Sequence, residues 1–241
     1  MEPQNLLLLS EDWTTALAVV AHPDDLEYGA ASAVARWTSQ GKQIAYLLVT
    51  RGEAGIDAMP PNEVGPLREE EERRGARLVG VDTVDFLDYR DGVIEYGLPL
   101  RRDISRAIRR HRPEVLLTTN QHLTWPGKVL NMADHRWVGE AVLDAARDAG
   151  NRWIFPELLD EGFEPWSGVR MVCFNESIQN THAVDVTAHI EQGIASLEQH
   201  HTYLSNLAEP VDPGTFLRDN ARETGIRCGC EFAVGFEVIF I

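Results

Sequence analysis

The stretch AHPDDLEYG, at residues 21–29, joins a predicted strand to a predicted helix. The residues that lead into it, TALAVVA at 15–21, are apolar without interruption, as in a strand buried on both faces of a sheet. The segment after it, 30–41, is predicted to be a helix that ends at a glycine. Pro23 lacks a backbone donor and stiffens the bend. A histidine and two aspartates are therefore held in a short loop between a strand and a helix.

The same order of strand and then helix continues through much of the chain. Further strands are predicted at 43–50, 84–87 and 114–118, and further helices at 67–80, 98–111 and 134–150. This alternation predicts an α/β fold, a Rossmann-like and mostly parallel sheet with helices on both faces. Because crossovers between parallel strands are right-handed, every strand-to-helix loop is expected at the carboxyl edge of the sheet.

The C-terminal part is less regular. A strand is predicted at 169–174, a helix at 186–204 and a closing strand at 231–240. The segment 53–66, which contains three prolines, is predicted to be a long loop that could serve as a lid or an interface. Because no repeat, low-complexity tract or linker is visible, residues 1–241 are expected to form a single domain.

Composition and charge exclude several classes of function. Among the 241 residues, 44% are hydrophobic and 25% are charged, as in soluble globular proteins. The 22 basic and 38 acidic residues give a net charge of −16, which disfavours binding to nucleic acid or to an anionic membrane. No signal peptide, membrane-spanning run or disulfide framework is visible. The sequence therefore predicts a cytoplasmic protein without membrane insertion.

Three side chains are candidate ligands of one metal ion. His22 and Asp25 can supply an imidazole nitrogen and a carboxylate oxygen, a combination that suits zinc. His135 opens the last helix of the alternating region, and the topology brings it to the same sheet edge to complete the set. Asp24 is then left to take a proton from an attacking water. Asp134 either caps that helix or supports a metal ligand. The alternative interpretation of the loop at residues 22–25 is an Asp-rich turn that caps the following helix.

At these residues the sequence resembles the PIG-L/LmbE-like N-acetylglucosaminyl deacetylase family. The stretch AHPDDLEYG is similar to the family's AHPDD-x-E-x-G signature in a strand–loop–helix setting. Other similar segments are TRGEAG at 50–55, the R-x-x-E helix at 68–71 with LVGV at 78–81, FLDYRDG at 86–92, DHR at 134–136, and VDVT at 184–187 with L-x-x-H at 197–200. The resemblance covers most of the chain.

The resemblance implies a zinc-dependent hydrolase that acts on an amide. His22, Asp25 and His135 would bind Zn²⁺ as the cofactor. Asp24 would be the general base that activates water, and the same group could return its proton to the departing amine. Arg68 would face the substrate at a hydroxyl or a phosphate. The alternative is that Arg68 has no role in the site and forms a surface ion pair on an acidic helix.

Other residues have more than one interpretation. Glu53 could bind a substrate hydroxyl, tie its loop to the metal site, or be an ordinary solvated carboxylate. His182 could reach the site as a substrate-binding residue. Trp125, Trp137 and Trp153 could provide surfaces on which a sugar stacks, although core packing is the commoner role of tryptophan.

One position departs from the family pattern. Many members read H-P-D-H, and the first histidine there helps to stabilise the oxyanion, whereas this sequence has Met132 at that position. A thioether cannot donate a hydrogen bond. The candidate substitutes are His182, Asn131 and His122, and the sequence does not choose among them.

The leading hypothesis is hydrolysis of an N-acetyl group on an N-acetylglucosamine-containing small molecule. The first alternative is an amidase that cleaves a larger acyl group from a sugar or thiol-sugar conjugate. The size of the pocket around the loops after Pro60 and Gln121 would discriminate between the two. The second alternative is a non-catalytic sugar-binding descendant. The expected partner is a sugar-like small molecule, and self-association as a homo-oligomer stays open.

Overall fold

The computed structural model describes residues 5–241 and contains one eight-stranded sheet. The strands of the described chain are β1 Leu7–Leu8, β2 Thr15–Val20, β3 Gln43–Leu48, β4 Thr83–Phe86, β5 Val115–Thr119, β6 Met171–Asn175, β7 His182–Asp185 and β8 Ala233–Phe240. The α-helices of the same residues are α1 Asp25–Gly29, α2 Ala31–Ser39, α3 Pro61–Leu78, α4 Leu98–His111, α5 Ala133–Asp148, α6 Glu157–Asp160, α7 Ile190–Leu197, α8 His201–Ser205 and α9 Pro213–Ile226.

The sheet is mostly parallel, with the strand order β1-β7-β8-β6-β5-β2-β3-β4. Strand β8 pairs antiparallel with both β6 and β7, and every other pairing is parallel. Strand β2 lies between β5 and β3, so the chain leaves it towards β3 and β4 on one side and returns to β5 on the other. The predicted α/β fold with a mostly parallel sheet is confirmed.

Two hydrophobic cores cover the two faces of the sheet. Successive residues of β2 alternate between them: Leu17 and Val19 face the core that α4 and α5 complete, and Ala18 and Val20 face the other. That second core is completed mainly by α2, α3, α7 and α9. A strand buried on both faces must be apolar at every position, which is why its sequence shows no alternation. The helices predicted on both faces are confirmed.

Helix α3 begins earlier than predicted. It starts at Pro61 rather than at Leu67 and contains Pro66 in its second turn, so the loop expected to reach residue 66 ends at 60. Pro61 is well suited to the first helical turn, because the donor it lacks has no partner there. Pro66 is exposed and close to the helix start, where its loss of one hydrogen bond disturbs little.

The C-terminal predictions needed more correction. The helix predicted at 186–204 is wrong, because α7 and α8 are separate helices with His200 at the break. The break turns the His200 side chain into the interior, where it is fully buried. Strand β1 and helix α9 were missed. A local signal for α9 was present, since the Asp212 side chain accepts a hydrogen bond from Thr215 N at 2.8 Å as the N-cap.

No helix among residues 5–241 is long and apolar enough to cross a membrane.

Close packing of α7 against α2 generates a stability prediction. A Cβ added at Gly193 would lie 2.0 Å from Ser32 Oγ and 2.9 Å from Ser32 N, so Gly193→Ala forces the helices apart. We expect a loss of about 1–3 kcal/mol in the free energy of unfolding, measured by urea denaturation. Gly97→Ala is the matched control, because its nearest neighbouring atom would be 3.7 Å away and its φ of 171° is extended. Equal stability of the two variants would contradict the prediction.

Candidate metal centre and active site

The candidate site lies at the carboxyl edge of the sheet, where the strand order reverses. His22 follows β2, and His135 lies in the first turn of α5, after β5. These two strands are neighbours, yet the connections leaving them run in opposite directions. A crevice forms at such a reversal, and ligands of open α/β sheets bind there. The structure thus brings together two residues that are 113 positions apart in the chain.

Three predicted ligand atoms converge at this point. His22 Nδ1 lies 3.1 Å from His135 Nε2, and His135 Nε2 lies 3.0 Å from Asp25 Oδ1. The third distance, from His22 Nδ1 to Asp25 Oδ1, is 3.7 Å. All three side chains are buried, with exposed fractions of 5–7%. These spacings allow one cation to contact all three atoms.

The remaining polar atoms of two ligands are already occupied. Asp25 Oδ2 accepts hydrogen bonds from Ala21 N at 3.0 Å and His22 N at 2.9 Å, which leaves Oδ1 to face the centre. His22 Nε2 lies 2.9 Å from Asp91 Oδ1 and 3.3 Å from Asp134 Oδ2. A proton on Nε2 is thereby favoured, and Nδ1 keeps its lone pair for a metal.

The third ligand is oriented in the same way. His135 Nδ1 lies 3.0 Å from Asn131 Oδ1, so Nδ1 donates and Nε2 keeps its lone pair. Asn131 is itself fixed, because its Nδ2 donates to the carbonyl oxygens of Asn120 at 2.7 Å and His122 at 2.9 Å. The amide group is therefore held with its oxygen towards the imidazole.

Asp134 is not the helix cap that the sequence allowed. Met132 occupies the N-cap position of α5. The Asp134 carboxylate instead accepts hydrogen bonds from Gly92 N at 2.7 Å and Ile94 N at 3.1 Å while Oδ2 faces His22. Asp134 therefore joins the loop after β4 to the first histidine of the candidate centre.

The donor set fits zinc. Two imidazole nitrogens and one carboxylate oxygen are the mixed ligands that catalytic zinc sites use, with a further position left for water or substrate. The two nitrogens and the oxygen all present lone pairs to one point. Only a cation or a shared proton at that point offsets the repulsion between the lone pairs. Although burial alone would raise the pKa of Asp25, positive charge on His135 and His22 holds it well below its ordinary value, and a cation bound at the same point would act in the same direction. The carboxylate form needed for coordination is thus favoured.

Asp24 lies beside the three candidate ligands and does not share their set. Its backbone has φ 91°, a left-handed conformation that is uncommon outside glycine, and it is 5% exposed. Its amide donates to Glu72 Oε2 at 3.1 Å, which holds the strained turn. Burial raises the pKa of Asp24 to about 6, and the Arg68 guanidinium opposes this rise. The arrangement suits a group that takes up and returns a proton.

Arg68 is buried rather than paired at the surface. Its guanidinium lies 3.1 Å from Asp24 Oδ1, donates to the carbonyl oxygens of Pro23 and Gly52, and stacks 4.1 Å from the ring centroid of Tyr203. A Cβ at Gly52 or at Gly55 would lie 2.4 Å from Arg68 Nη1. These two glycines of the TRGEAG loop therefore make room for the guanidinium.

Glu53 ties loops together. Its Oε1 accepts from Asp91 N at 2.9 Å and its Oε2 accepts from Arg51 N at 3.3 Å. Asp91 in turn faces His22. The sequence left several interpretations of Glu53 open. The observed contacts match the interpretation in which Glu53 links its loop to the candidate metal site.

A second buried group lies beneath Asp24. Glu27, Glu72 and His200 are at most 1% exposed, and His200 Nε2 lies 3.8 Å from a carboxylate oxygen of each glutamate. Burial raises the pKa of Glu27 to about 7 and that of Glu72 well above its ordinary value, and it lowers the pKa of His200 to about 3. Neutral forms are favoured, so this cluster supports the loop from below without adding full charges.

The structure does not bring His182 to the site. It lies on β7, four strands away from β2, which is about 19 Å at the usual spacing between strands. Its ring packs against Phe240, with centroids 6.2 Å apart. The expectation that it reaches the site was drawn from local sequence, which contains no information about the order of strands.

The three candidates for the missing oxyanion donor are not aimed at the site. His122 Nε2 lies 2.7 Å from Glu237 Oε2, and the Asn131 amide is fully engaged. His182 is remote. Met132 does line the cavity. Apart from the two candidate ligand histidines, the side chains with O–H or N–H donors that line it are those of Tyr28, Tyr203, Trp125 and Arg68.

The cavity over this centre has a volume of about 210 Å³. Besides the residues predicted from the sequence, it is lined by Tyr28, Asp91, Glu176 and Tyr203. Asp91 was visible in the FLDYRDG segment, but Glu176 follows β6 and Tyr203 lies on α8, segments without a recognisable site pattern. Of the three tryptophans considered, Trp125 lines this cavity, with its ring centroid 5.4 Å from that of His135.

Fold and site together define an α/β protein with a candidate metal centre at the reversal of its sheet. The family described as PIG-L, GlcNAc-PI de-N-acetylase, matches residues 17–146, which is over half of the chain. The chain belongs to this family, as the sequence resemblance predicted.

Two curated relatives carry related activities. The chain is 27% identical over 231 residues to diacetylchitobiose deacetylase of Thermococcus kodakarensis, covering 95% of this chain and 84% of the relative. It is 31% identical over 136 residues to the probable N-acetyl-alpha-D-glucosaminyl L-malate deacetylase 2 of Bacillus anthracis, covering 54% of this chain and 58% of the relative.

Solved structures share the fold. The structure of N,N'-diacetylchitobiose deacetylase from Pyrococcus horikoshii aligns with a TM-score of 0.84 at 23% identity, covering 95% of this chain and 85% of that one. GalB, a 4-carboxy-2-hydroxymuconate hydratase from Pseudomonas putida, aligns with a TM-score of 0.75 at 20% identity, and the alignment covers 95% of this chain and 97% of GalB. Because a hydratase has the same architecture, the fold alone does not specify the reaction.

The orientation of His135 by Asn131 can be tested through metal affinity. Asn131→Ala removes the acceptor for Nδ1, so we expect zinc to bind about 10–100-fold more weakly, measured by competition with a chromogenic chelator. His182→Ala is the control, because that histidine is remote from the centre, and its affinity should equal that of the wild type. Wild-type affinity in Asn131→Ala would contradict the assigned orientation.

Proposed function

We propose that this protein is a zinc-dependent hydrolase that removes an N-acetyl group from an N-acetylglucosamine-containing small molecule. The observation that carries the proposal is the convergence of His22 Nδ1, His135 Nε2 and Asp25 Oδ1 beside a separate buried carboxylate, Asp24. Membership of the PIG-L family supports it, and so do the deacetylase activities named for both curated relatives.

The proposed residue roles follow from the geometry. His22, His135 and Asp25 would hold the zinc ion, and Asp91, Asp134 and Asn131 would orient the two histidines. A bound zinc ion supplies Lewis acidity that polarises the amide carbonyl and favours deprotonation of the attacking water.

Asp24 moves the proton. It takes a proton from water as the water oxygen attacks the amide carbon, and it gives that proton to the amine nitrogen as the C–N bond breaks. A raised pKa suits both steps, because a strongly acidic carboxylate would be a poor base and would return the proton poorly. The products are a carboxylic acid and a free amine.

Arg68 positions Asp24 and faces the substrate cavity. Its charge and its stacking on Tyr203 fix one wall of the site, and its remaining donor capacity suits a hydroxyl or anionic group of the sugar. Tyr28, Tyr203 and Trp125 replace His182, Asn131 and His122 as the candidates for an oxyanion donor.

The first test is Asp24→Asn. Loss of the general base should reduce amine release from N-acetylglucosamine and its derivatives by about 10²–10⁴-fold, because that is the typical contribution of acid–base catalysis. Zinc content, measured by plasma mass spectrometry, should stay at the wild-type value, since Asp24 is not one of the three ligands. Amine release at the wild-type rate by Asp24→Asn would exclude the proposed base, and failure of the wild type to bind zinc would exclude the proposed centre.

The role of Arg68 is tested by crowding it. In Gly55→Ala the new Cβ would lie 2.4 Å from Arg68 Nη1, so the guanidinium must move away from Asp24. We expect kcat/KM for amine release to fall on the order of 10²-fold, the typical effect of a misplacement of about 1 Å. Zinc affinity should not change. The Gly97→Ala protein serves again as the control, and equal kcat/KM in the two proteins would refute the role.

A further inference from the structure

A second, much larger cavity adjoins the catalytic one. Its volume is about 760 Å³, which is within the range of small-molecule sites, whereas the catalytic cavity measures about 210 Å³. The two cavities share Tyr28, Trp125 and Glu176 as lining residues. The large cavity therefore begins where the catalytic cavity ends, on the side of the centre nearer α9 and β8.

The two cavities differ in chemistry. The catalytic cavity is walled by charged groups, including Arg68 and Asp91, which come from the β3–β4 side of His22. The large cavity lies on the other side of the same loop, along the segment that follows β6 and along β8. Its buried floor is mostly apolar: Ala31, Ile190, Leu217, Ala221 and Ala233 are each at most 8% exposed, and the buried polar side chains of Glu27, Ser32 and Ser177 lie among them.

Aromatic and charged residues form the entrance to this floor. Phe216 of α9 packs edge-to-face on Tyr28, with ring centroids 5.5 Å apart. Lys128 and Glu223, which also line the cavity, are exposed to solvent.

An amide substrate has two ends, and this site offers a different wall to each. The hydroxylated amine end matches the charged wall with Asp91 and Arg68, where Arg68 Nε has no hydrogen-bond partner. The acyl end then points across the centre towards Tyr28 and Trp125. An acetyl group has only one methyl beyond the carbonyl and would leave the 760 Å³ cavity unfilled.

We propose that this cavity binds the acyl chain of the substrate, and that the enzyme cleaves N-acyl amino sugars with a medium-length chain, of the octanoyl type, in preference to N-acetyl ones. This inference rests on the proposed hydrolysis of an amide on an amino sugar, and it makes the acetyl group an accepted but slower substrate beside a longer acyl chain. Water adds to the amide carbon, the C–N bond breaks, and the products are a fatty acid and the amino sugar, so no further reactant is required. Each methylene that enters the apolar floor should favour binding roughly fourfold.

The experiment compares N-octanoylglucosamine with N-acetylglucosamine on the zinc-loaded enzyme. We expect kcat/KM for the octanoyl compound to exceed that for the acetyl compound at least tenfold. Ala221→Phe places a ring on the apolar floor, and it should lower the octanoyl-to-acetyl ratio of kcat/KM at least tenfold. Phe216→Ala, which removes a ring at the entrance without overfilling the interior, should lower the same ratio in the same direction. Thermal unfolding of each variant reports whether it folds.

A binding measurement keeps this inference separate from the proposed function. Calorimetric titration of Asp24→Asn with both sugars should give tighter binding of the octanoyl compound, and the added Ala221→Phe substitution should remove the difference. The wild-type enzyme could release amine from the acetyl compound while the octanoyl compound shows neither a higher kcat/KM nor tighter binding. This result overturns the chain-binding cavity and leaves the deacetylase proposal intact. Tighter octanoyl binding without amine release from either compound supports the cavity and overturns the proposed function. If Ala221→Phe weakens the binding of diacetylchitobiose but not that of the octanoyl compound, the cavity holds a second sugar. This result also overturns the inference.

Discussion

Two imidazole nitrogens and one carboxylate oxygen face the same point, and the rest of the site depends on that constraint. The three atoms present lone pairs to one another at 3.0–3.7 Å, which is unfavourable without a cation or a shared proton between them. The arrangement is maintained because each remaining polar atom has a partner elsewhere. Asp91, Asp134, Asn131 and backbone amides fix the ligands from outside, so the protein orients them before any ion arrives.

Around this centre the sheet separates two kinds of surface. Strands β3 and β4 supply loops with charged groups and with glycines that leave room for Arg68. Strand β8, the segment after β6 and helix α9 enclose a larger and mostly apolar space. Asp24, the proposed general base, lies between them in a left-handed backbone conformation. The cluster of Glu27, Glu72 and His200, in which neutral forms are favoured, supports it from beneath. A substrate with one polar and one apolar end matches this division.

The sequence predicted those features that depend on local patterns. The bounds of α4 at 98–111 were predicted correctly, because they follow from helical periodicity alone. His22, Asp25 and His135 were found because the AHPDD motif and the parallel topology together place them at one edge. Glu176 was missed and His182 was misplaced for the same reason: strand order among β6, β7 and β8 is decided by tertiary packing and leaves no mark on neighbouring residues. The break before α8 likewise coincides with the buried His200 and not with a helix-ending residue.

The separation of His22 from His135 by 113 positions has a consequence for folding. A chain that has formed only β2, β3 and β4 has the first histidine and its neighbouring carboxylate, but no second histidine to complete the set. The centre exists only once β5 has paired with β2 and α5 has docked. Binding of the proposed zinc ion would therefore select the fully assembled sheet over partly folded forms, and its free energy would add to the stability of the native state in proportion to the logarithm of free metal concentration. In a cell, the supply of zinc would then contribute to how long this protein stays folded.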